Sequence, residues 1–530
     1  MFNLEKILNK TIKFGLYAIL LTPLAFWPRA LYAFMTPKFI LFQVLVEIVF
    51  AAWLILLLRS RSTRIEADQR RNSIAVALFA FITVSFVSAI FGVDLARSVW
   101  GIGARMTGLF AELHFLAWFL VLVSVFRSGN YLHESAKNPH LSASTYINFS
   151  FAVSILVALS AFYQNTQWHL VPGYTIFSNP TFAAPYFLFH FFWGLYQIWN
   201  SKSWQKLYYI SASALILAAL LMGGVRGAFI GFVIGIFFLG IGLIFSGILK
   251  PRQKILILAA YSLLLIGAVG LWMFRDSAFI QKIEVLKRLS LISLSETTAQ
   301  IRLLTWQSAL KGFQNRPVLG AGPENFNYLF NAHYNPRLLM YGGSSFAETW
   351  QDKPHNAFVE ILTETGIIGS LAYISIWFFV VFYLFRIFKR DLSAQAGEKF
   401  LSLVLAGAFI SYIGAIFFSF DSFGSWFGLF LMLGFLASHN NANEIQGVRM
   451  PRIVNFYSQL AASAIVLSLL VLLYVNYGIW RANIADADAL RTFSRNAEQG
   501  IVLFKKSLTY FSPYKSEYQF DLIASVTGAV

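Results

Sequence analysis

Long apolar runs separated by short charged ones set the rhythm of this chain. Stretches of about 17–25 predominantly apolar residues, the length that crosses a hydrocarbon core as a helix, recur from one end to the other. Spans are expected at roughly 14–34, 38–58, 73–91, 109–126, 143–163, 182–199, 207–223, 227–248, 255–274, 356–385, 400–418, 424–437 and 456–478. Inside lipid every backbone polar group must be satisfied within its own segment, so such runs predict a helical bundle. The opening "MFNLEKILNKTIKFGLYAILL" has a basic lead and an apolar run, as a signal peptide does. Without a clear small-x-small cleavage site, it reads as a retained first helix. The fold class expected is an all-α polytopic membrane protein with about 12–13 transmembrane helices, a large external loop and a short helical external tail.

The polar segments then orient the bundle. Thirteen spans put the two ends of the chain on opposite sides. The loop "RSRSTRIEADQRR", Arg59 to Arg71, is the strongest cytoplasmic signal, since basic loops stay inside. Alternation then places "KSWQK", "KPRQK" and "RIFKRDL" on that same face, so every short basic loop agrees. The external face receives the segments 92–108, 164–181 and 223–227, a loop from Arg275 to His355, and the tail beyond about Gly478. Four regions follow: an N-terminal bundle (1–274), a large extracytoplasmic loop (275–355), further transmembrane helices (356–480) and an extracytoplasmic tail (481–530).

Composition sharpens this without changing it. Apolar residues make up 58% of the chain and charged residues 12%, far from the averages of soluble proteins. The net charge of +17 would suggest nucleic acid if the basic residues formed one soluble stripe. They sit instead in short clusters between apolar runs, which fits topology signals and anionic lipid better, and no nucleic-acid partner is expected. Cysteine is absent, which excludes disulfides and thiolate chemistry.

A connection of some 80 residues is far longer than usual, and this one is not low-complexity, so a functional role is expected for it. Within it "SLSETTAQIRLLTWQSALKGFQNRP" predicts a helix. Ser293 and Glu296 have capping-box spacing, Ile301, Leu304, Leu310 and Phe313 form a partial apolar face, and Gly312 and Pro317 mark its end. Arg302 and Trp306 stand one turn apart on one side of that helix. "PVLGAGPENF" follows as a turn that lets backbone approach something closely. The tail stretch "NAEQGIVLFKKSLTYFSPYKSEYQFDLI" loosely resembles the second helix of a tetratricopeptide unit.

On the external face the notable polar residues are Arg105, Arg226, Arg302 and His355, with Asn179, Glu360 and Glu364. Arginine offers planar paired donors to phosphate oxygens, and histidine can take a proton from an attacking hydroxyl. That set suits group transfer from a diphosphate carrier whose lipid tail stays in the bilayer. Such chemistry needs no metal or other cofactor, and nothing in the chain resembles a dense metal-ligating cluster. Each residue also has a plain structural reading. Arg105 and Arg226 suit snorkelling at helix ends, Arg302 the solvated side of a surface helix, and His355 an interfacial anchor. Glu360 and Glu364 are expected to line a polar cavity rather than face lipid. Glu47 sits near the middle of the second span with no partner evident from the sequence, and His169 and His333 read as loop residues.

"RLLTWQSALKGFQNRPVLGAGPENF" followed by "DKPHNAFVEILTETGIIGSLAYI" resembles the core loop of the O-antigen ligase superfamily of bacterial membrane glycosyltransferases. In that loop an Arg-x3-Trp helix and a Gly-x-Gly turn precede a His-Asn pair and a helix containing Glu-x-Gly. "VWGIGARMTGLF", "FSNPTFAAPYF" and "GGVRGAFIGFVIG" resemble the upstream blocks in order, so the resemblance covers roughly 15–440. It implies transfer of a glycan from an undecaprenyl-diphosphate carrier to an acceptor hydroxyl, at the outer side of the bacterial cytoplasmic membrane. The implied catalytic base is His355. The implied diphosphate-binding residues are Arg226 and Arg302, with Arg105 as a further arginine, and Glu364, Asn356 and Trp306 are supporting.

The resemblance leaves the acceptor open among a lipid A core, a second glycan and a protein, corresponding to ligase, Wzy-type polymerase and protein O-oligosaccharyltransferase. Two other classes remain open from the sequence. A transporter or flippase of lipid-linked glycan would carry ionisable groups at midplane, where apart from Glu47 and His190 the chain is sparse. A scaffold would act through its tail.

Overall fold

The computed structural model describes residues 4–59, 72–127, 142–167, 174–283, 286–287, 290, 297–341, 350–389, 396–440 and 455–528. The basic loop from residue 60, the Ser293–Glu296 capping box and His169 lie outside the described residues. The bundle begins with α1 (Leu4–Leu21), α2 (Thr36–Arg59), α3 (Ser73–Ile90), the short α4 (Leu95–Trp100) and α5 (Leu109–Arg127). It continues through α6 (Ala143–Gln167), α7 (Pro180–Asn200), α8 (Ser203–Met222), α9 (Arg226–Phe245) and α10 (Pro251–Met273). The large loop contributes α11 (Ala278–Lys282), α12 (Thr297–Asn315) and α13 (Phe326–Ala332). Then come α14 (Ala357–Lys389), α15 (Ala396–Ile416), α16 (Phe423–Asn440) and α17 (Asn455–Phe493), and the tail adds α18 (Ala497–Ser507) and α19 (Lys515–Thr527).

The protein is an all-α polytopic membrane protein. Ten helices among the described residues are long and apolar enough to cross a bilayer. The charges Glu5, Lys6, Lys10 and Lys13 keep α1 out of that group, polar residues such as His190 and Gln197 lower the hydropathy of α7, and the apolar part of α16 is short. The first span falls earlier than its apolar run suggests. Expected at 14–34, the helix ends at Leu21, and Pro23 starts a 3₁₀ turn, Thr22–Leu24, because proline cannot continue the ladder. The buried Lys38 ammonium satisfies carbonyls of the irregular chain that follows, donating to Ala25 and, at 2.7 Å, to Ile176.

Glycine spacing sets one close helix pair. Gly227, Gly231 and Gly235 recur every four residues along one side of α9, the small-residue pattern by which membrane helices approach closely. A Cβ at Gly231 would lie 2.3 Å from the Ser411 carbonyl of α15, and one at Gly235 would lie 2.4 Å from that of Gly407. This contact places Arg226, the first residue of α9, beside the α15–α16 connection that carries Phe420.

Aromatic rings fill the centre. Phe42 of α2 stacks on Phe115 of α5 at 4.4 Å between centroids, and Phe423, Phe427 and Trp118 close around them. The same region answers the question posed by Glu47. Its Oε1 accepts from Asn476 of α17 at 2.7 Å and lies 3.0 Å from Nε2 of His114 in α5. One buried carboxylate thus joins three helices, as polar residues do when no water competes.

The large loop builds a small core of its own from Ile301, Leu304, Ala309, Phe326, Phe330 and Leu338. Leu310, expected on the apolar face of α12, points outward instead, because it stands half a turn round the helix from the buried Ile301, Leu304, Ser308 and Gly312. Helix α17 runs for 39 residues. That is about 58 Å at 1.5 Å per residue, well beyond a hydrocarbon core of about 30 Å, so it carries the tail away from the bundle's apolar belt. There α18 folds back on it, with Phe493 against Phe504.

Replacing Glu47 with leucine strands His114 and Asn476 without their buried partner and should cost roughly 1–3 kcal/mol per stranded group. Glu47→Gln keeps an acceptor and should cost less, and thermal unfolding of the purified protein in detergent measures both.

Candidate functional site

The site is organised by a break in α14. Gly366 has φ 67° and ψ −167°, which splits the helix into a short leading segment and a long membrane-crossing one. The backbone groups freed there are taken up by the glycine turn of the large loop. Ala321 N donates to Thr363 O at 3.0 Å, Gly322 N to Glu364 O at 2.8 Å, and Ile367 N to Pro317 O at 2.9 Å. Both sides of this joint require glycine. A Cβ at Gly366 would lie 2.3 Å from Val318 O, and one at Gly320 would lie 2.4 Å from Glu364 O, with φ of 67° and 70°. The Gly-x-Gly and Glu-x-Gly motifs are therefore two halves of one contact.

Glu364 tightens it. Its two carboxylate oxygens accept from the backbone amides of Glu324 at 2.8 Å and Phe326 at 3.3 Å. Its role in this geometry is to hold the loop's turn, while the helix start has its own support. Asn356 caps α14, its Oδ1 accepting from Phe358 N at 2.9 Å and Val359 N at 3.1 Å. Trp306 of α12 donates from its indole to Pro354 O at 2.8 Å, which fixes the chain one residue before His355.

His355 itself is held in the left-handed region, φ 55°, a conformation sustained only where the surroundings over-determine it. Its ring packs edge-on against Phe420 at 5.2 Å, and its Nδ1 lies 3.1 Å from the Lys353 carbonyl. A carbonyl only accepts, so the proton of a neutral ring sits on Nδ1 and the basic lone pair is on Nε2. Burial, and after it the charge of Arg302, pushes this imidazole down to about 4 from 6.5. His355 is therefore neutral, and able to accept a proton, across the physiological range.

Three arginines converge here in different states. Arg302 is pushed below its ordinary value by burial and then by the neighbouring charge of Arg226. Two like charges held together in a part-buried site favour an anion between them. Arg226 adds the N-terminal end of α9, whose first backbone amides also attract anions. Arg105 is already engaged: both of its terminal nitrogens reach Asp352, one at 3.2 Å, and its guanidinium lies 4.6 Å over the Phe420 ring. Burial raises the Asp352 carboxyl, and Arg105 outweighs that and holds it below the usual carboxylate range.

The site also holds a buried ion cluster that the sequence expectations do not include. Lys353, two residues before His355, is buried and donates to Glu324 at 2.7 Å and to Glu360. Burial pulls this ammonium down, and the two carboxylates more than reverse it, leaving it above its ordinary value. Glu324 also accepts from the Thr107 hydroxyl at 2.8 Å, which ties in the segment that carries Arg105. Glu360 and Glu364 line a cavity of about 80 Å³ together with Lys353, Glu324, Tyr373 and Asp421, as expected of a polar chamber. The signal available for Lys353 and Glu324 was their place inside the two quoted motifs.

Other candidates lie elsewhere. Asn179 caps α7 through Thr181 N at 2.9 Å, a structural role. His190 is buried in the bundle, 2.8 Å from the Ser150 hydroxyl, and His333 pairs with Asn315 at 2.8 Å on the surface of the loop.

Residues 211–374 match the family model described as O-antigen ligase. The match runs from within α8 into α14 and includes Arg226, Arg302, Trp306, His355, Asn356 and Glu364, whereas Arg105 and the tail lie outside it. It points to a membrane enzyme of the ligase or glycosyltransferase type acting on glycan substrates. No curated protein matches the chain.

Gly366→Ala should cost at least roughly 1–3 kcal/mol from the left-handed backbone alone. It should also pry the 317–322 turn from α14, which a lowered unfolding temperature together with faster proteolysis of the large loop would register.

Proposed function

We propose that this O-antigen ligase-family protein moves a glycan from an undecaprenyl-diphosphate carrier to an acceptor hydroxyl at the outer face of the bacterial cytoplasmic membrane. The arrangement that carries the reading is Arg302 and Arg226 gathered beside His355, whose chain is held by Trp306 and whose Nδ1 faces the Lys353 carbonyl, leaving Nε2 as the basic nitrogen. In this reading the two arginines hold the diphosphate. The acceptor oxygen attacks the anomeric carbon, and the carbon–oxygen bond to the diphosphate breaks with its electron pair leaving on the phosphate. The acceptor proton passes to Nε2 of His355, and the anomeric configuration inverts. Charge on the leaving diphosphate grows where Arg226 and Arg302 stand, which is where stabilisation lowers the barrier. Arg105 serves by holding Asp352 and backing Phe420 against the His355 ring. Placement on the outer face is supported by Lys202 and Lys206 at the start of α8 and Lys250 and Lys254 at the start of α10, the helix ends away from Arg226. An O-antigen ligase acceptor, the lipid A core, is the reading taken from the family match.

Purified protein supplied with lipid-linked glycan and a lipid A core should form the transfer product. His355→Ala should lower turnover by about 10²–10⁴-fold with folding retained, the usual weight of a general base. Normal yield from that variant would overturn the assignment. Offering a second glycan or a peptide in the same assay identifies the acceptor by product mass.

The pH profile offers a separate check. A base whose pKa falls from 6.5 to about 4 stays deprotonated as the medium is acidified to pH 5. Activity should therefore hold between pH 8 and pH 5 and fall only near 4, rather than halving near 6.5. The linked contribution to stability has the same sign: it is present above 6.5 and is lost as pH falls toward 4, because the unfolded histidine takes up its proton first.

A further inference from the structure

The tail reaches back to the site. The turn between α4 and α5 carries Arg105, and α19 lies against it. Gly103 N donates to Glu517 Oε1 at 2.8 Å, and the Tyr514 hydroxyl donates to Trp100 O at 3.0 Å. A Cβ at Gly103 would lie 2.7 Å from Glu517 Oε2, so the Glu517 carboxylate sits directly against the backbone of the turn. The Tyr32 hydroxyl donates to the same carboxylate at 3.5 Å, and Tyr514 and Tyr518 are buried with the main core. The base of the tail is anchored separately. Asn483 accepts from Leu31 N at 2.9 Å, Asp488 pairs with Arg29 at 2.9 Å, and Arg491 donates to Pro28 O at 2.8 Å. From Gly103 the connection runs two residues to Arg105, then to Asp352 and Phe420, and so to the ring of His355.

We propose that α19 is a latch on the Trp100–Arg105 turn, and that Glu517 and Tyr514 are positioning residues that act on the site through Arg105. A half-buried carboxylate that accepts from the amide of a buried residue such as Gly103 fixes that amide in place, since leaving the amide unpaired carries a desolvation cost. With the turn fixed, Arg105 presents its guanidinium to Asp352 and Phe420 in one geometry, and His355 keeps its orientation. The tail is thereby part of the enzyme rather than an appendage, although it lies outside the matched family stretch.

The effect on turnover rests on the transfer reaction proposed above, whereas the latch itself can be read without it. The chain contains no cysteine, so Ala104→Cys gives a single thiol in the turn. On purified full-length protein, its maleimide labelling rate should rise about tenfold or more when Glu517→Ala or Gly103→Ala is added, the scale of losing one hydrogen bond to a charged group. Glu517→Gln keeps an acceptor for Gly103 N and should restore the slow rate. In the background with Ala104 intact, Glu517→Ala should lower kcat/KM by about tenfold but cause no further loss in an Arg105→Ala protein, because both act through one guanidinium. Unchanged labelling in both Glu517→Ala and Gly103→Ala overturns the latch. Faster labelling with unaltered kcat/KM, or full additivity with Arg105→Ala, overturns the positioning role. A parent protein that transfers no glycan refutes the reaction and leaves the labelling result to decide the latch.

Discussion

The joint between the broken helix and the glycine turn is the contact on which the site depends. An unbroken α14 would have no free backbone groups at residues 363–368, and the large loop would have nothing to pair with. Because Gly366 interrupts the ladder, the 317–322 turn docks as a short length of paired backbone, and Glu364 pins the amides beyond it. Helix α12 is carried by that turn, so Arg302 and Trp306 come to lie over the start of α14, where His355 stands. The loop and the bundle are thus one mechanical unit at the point where chemistry is proposed.

Electrostatics divides this unit into two layers. Within it, Lys353 neutralises part of an acidic chamber and gives up its mobility to Glu324 and Glu360. Buried charges of this kind are tolerated because they are paired and hydrogen-bonded, and they hold the chain immediately before His355 in place. Around the imidazole the balance is reversed: Arg302 and Arg105 face it, and their positive field disfavours a second proton on the ring. One residue separates the buried cation that organises the turn from the neutral base proposed to react. The left-handed backbone at His355 is where the chain passes from one layer to the other.

Much of the site was legible because its motifs are local. Arg302 and Trp306 share a helical side by their spacing, His355 and Asn356 start a helix, and the glycines announce close backbone approach. The roles were less legible. Glu364 binds amides thirty-eight and forty residues earlier in the chain, and Glu47 pairs with His114 and Asn476 from two other helices. No periodicity within a single span encodes such partners. Leu310 is a local exception: its apolar side chain suggests a face, yet it stands on the side of α12 opposite the buried Ile301, Leu304 and Ser308.

Hydropathy and length by themselves determined that this is a helical membrane bundle, since a segment in lipid has to satisfy its own backbone and only long apolar helices do so. The same argument ended at Pro23, where a local property of proline overrode the apolar run. The motifs determined which residues gather on the large loop and beside it. Only the tertiary structure decided that Arg105 is committed to Asp352, that Lys353 is buried between two carboxylates, and that the tail grips the turn behind Arg105. Those contacts join residues tens to hundreds of positions apart, and their energies arise from desolvation and proximity, which exist only once the helices have packed.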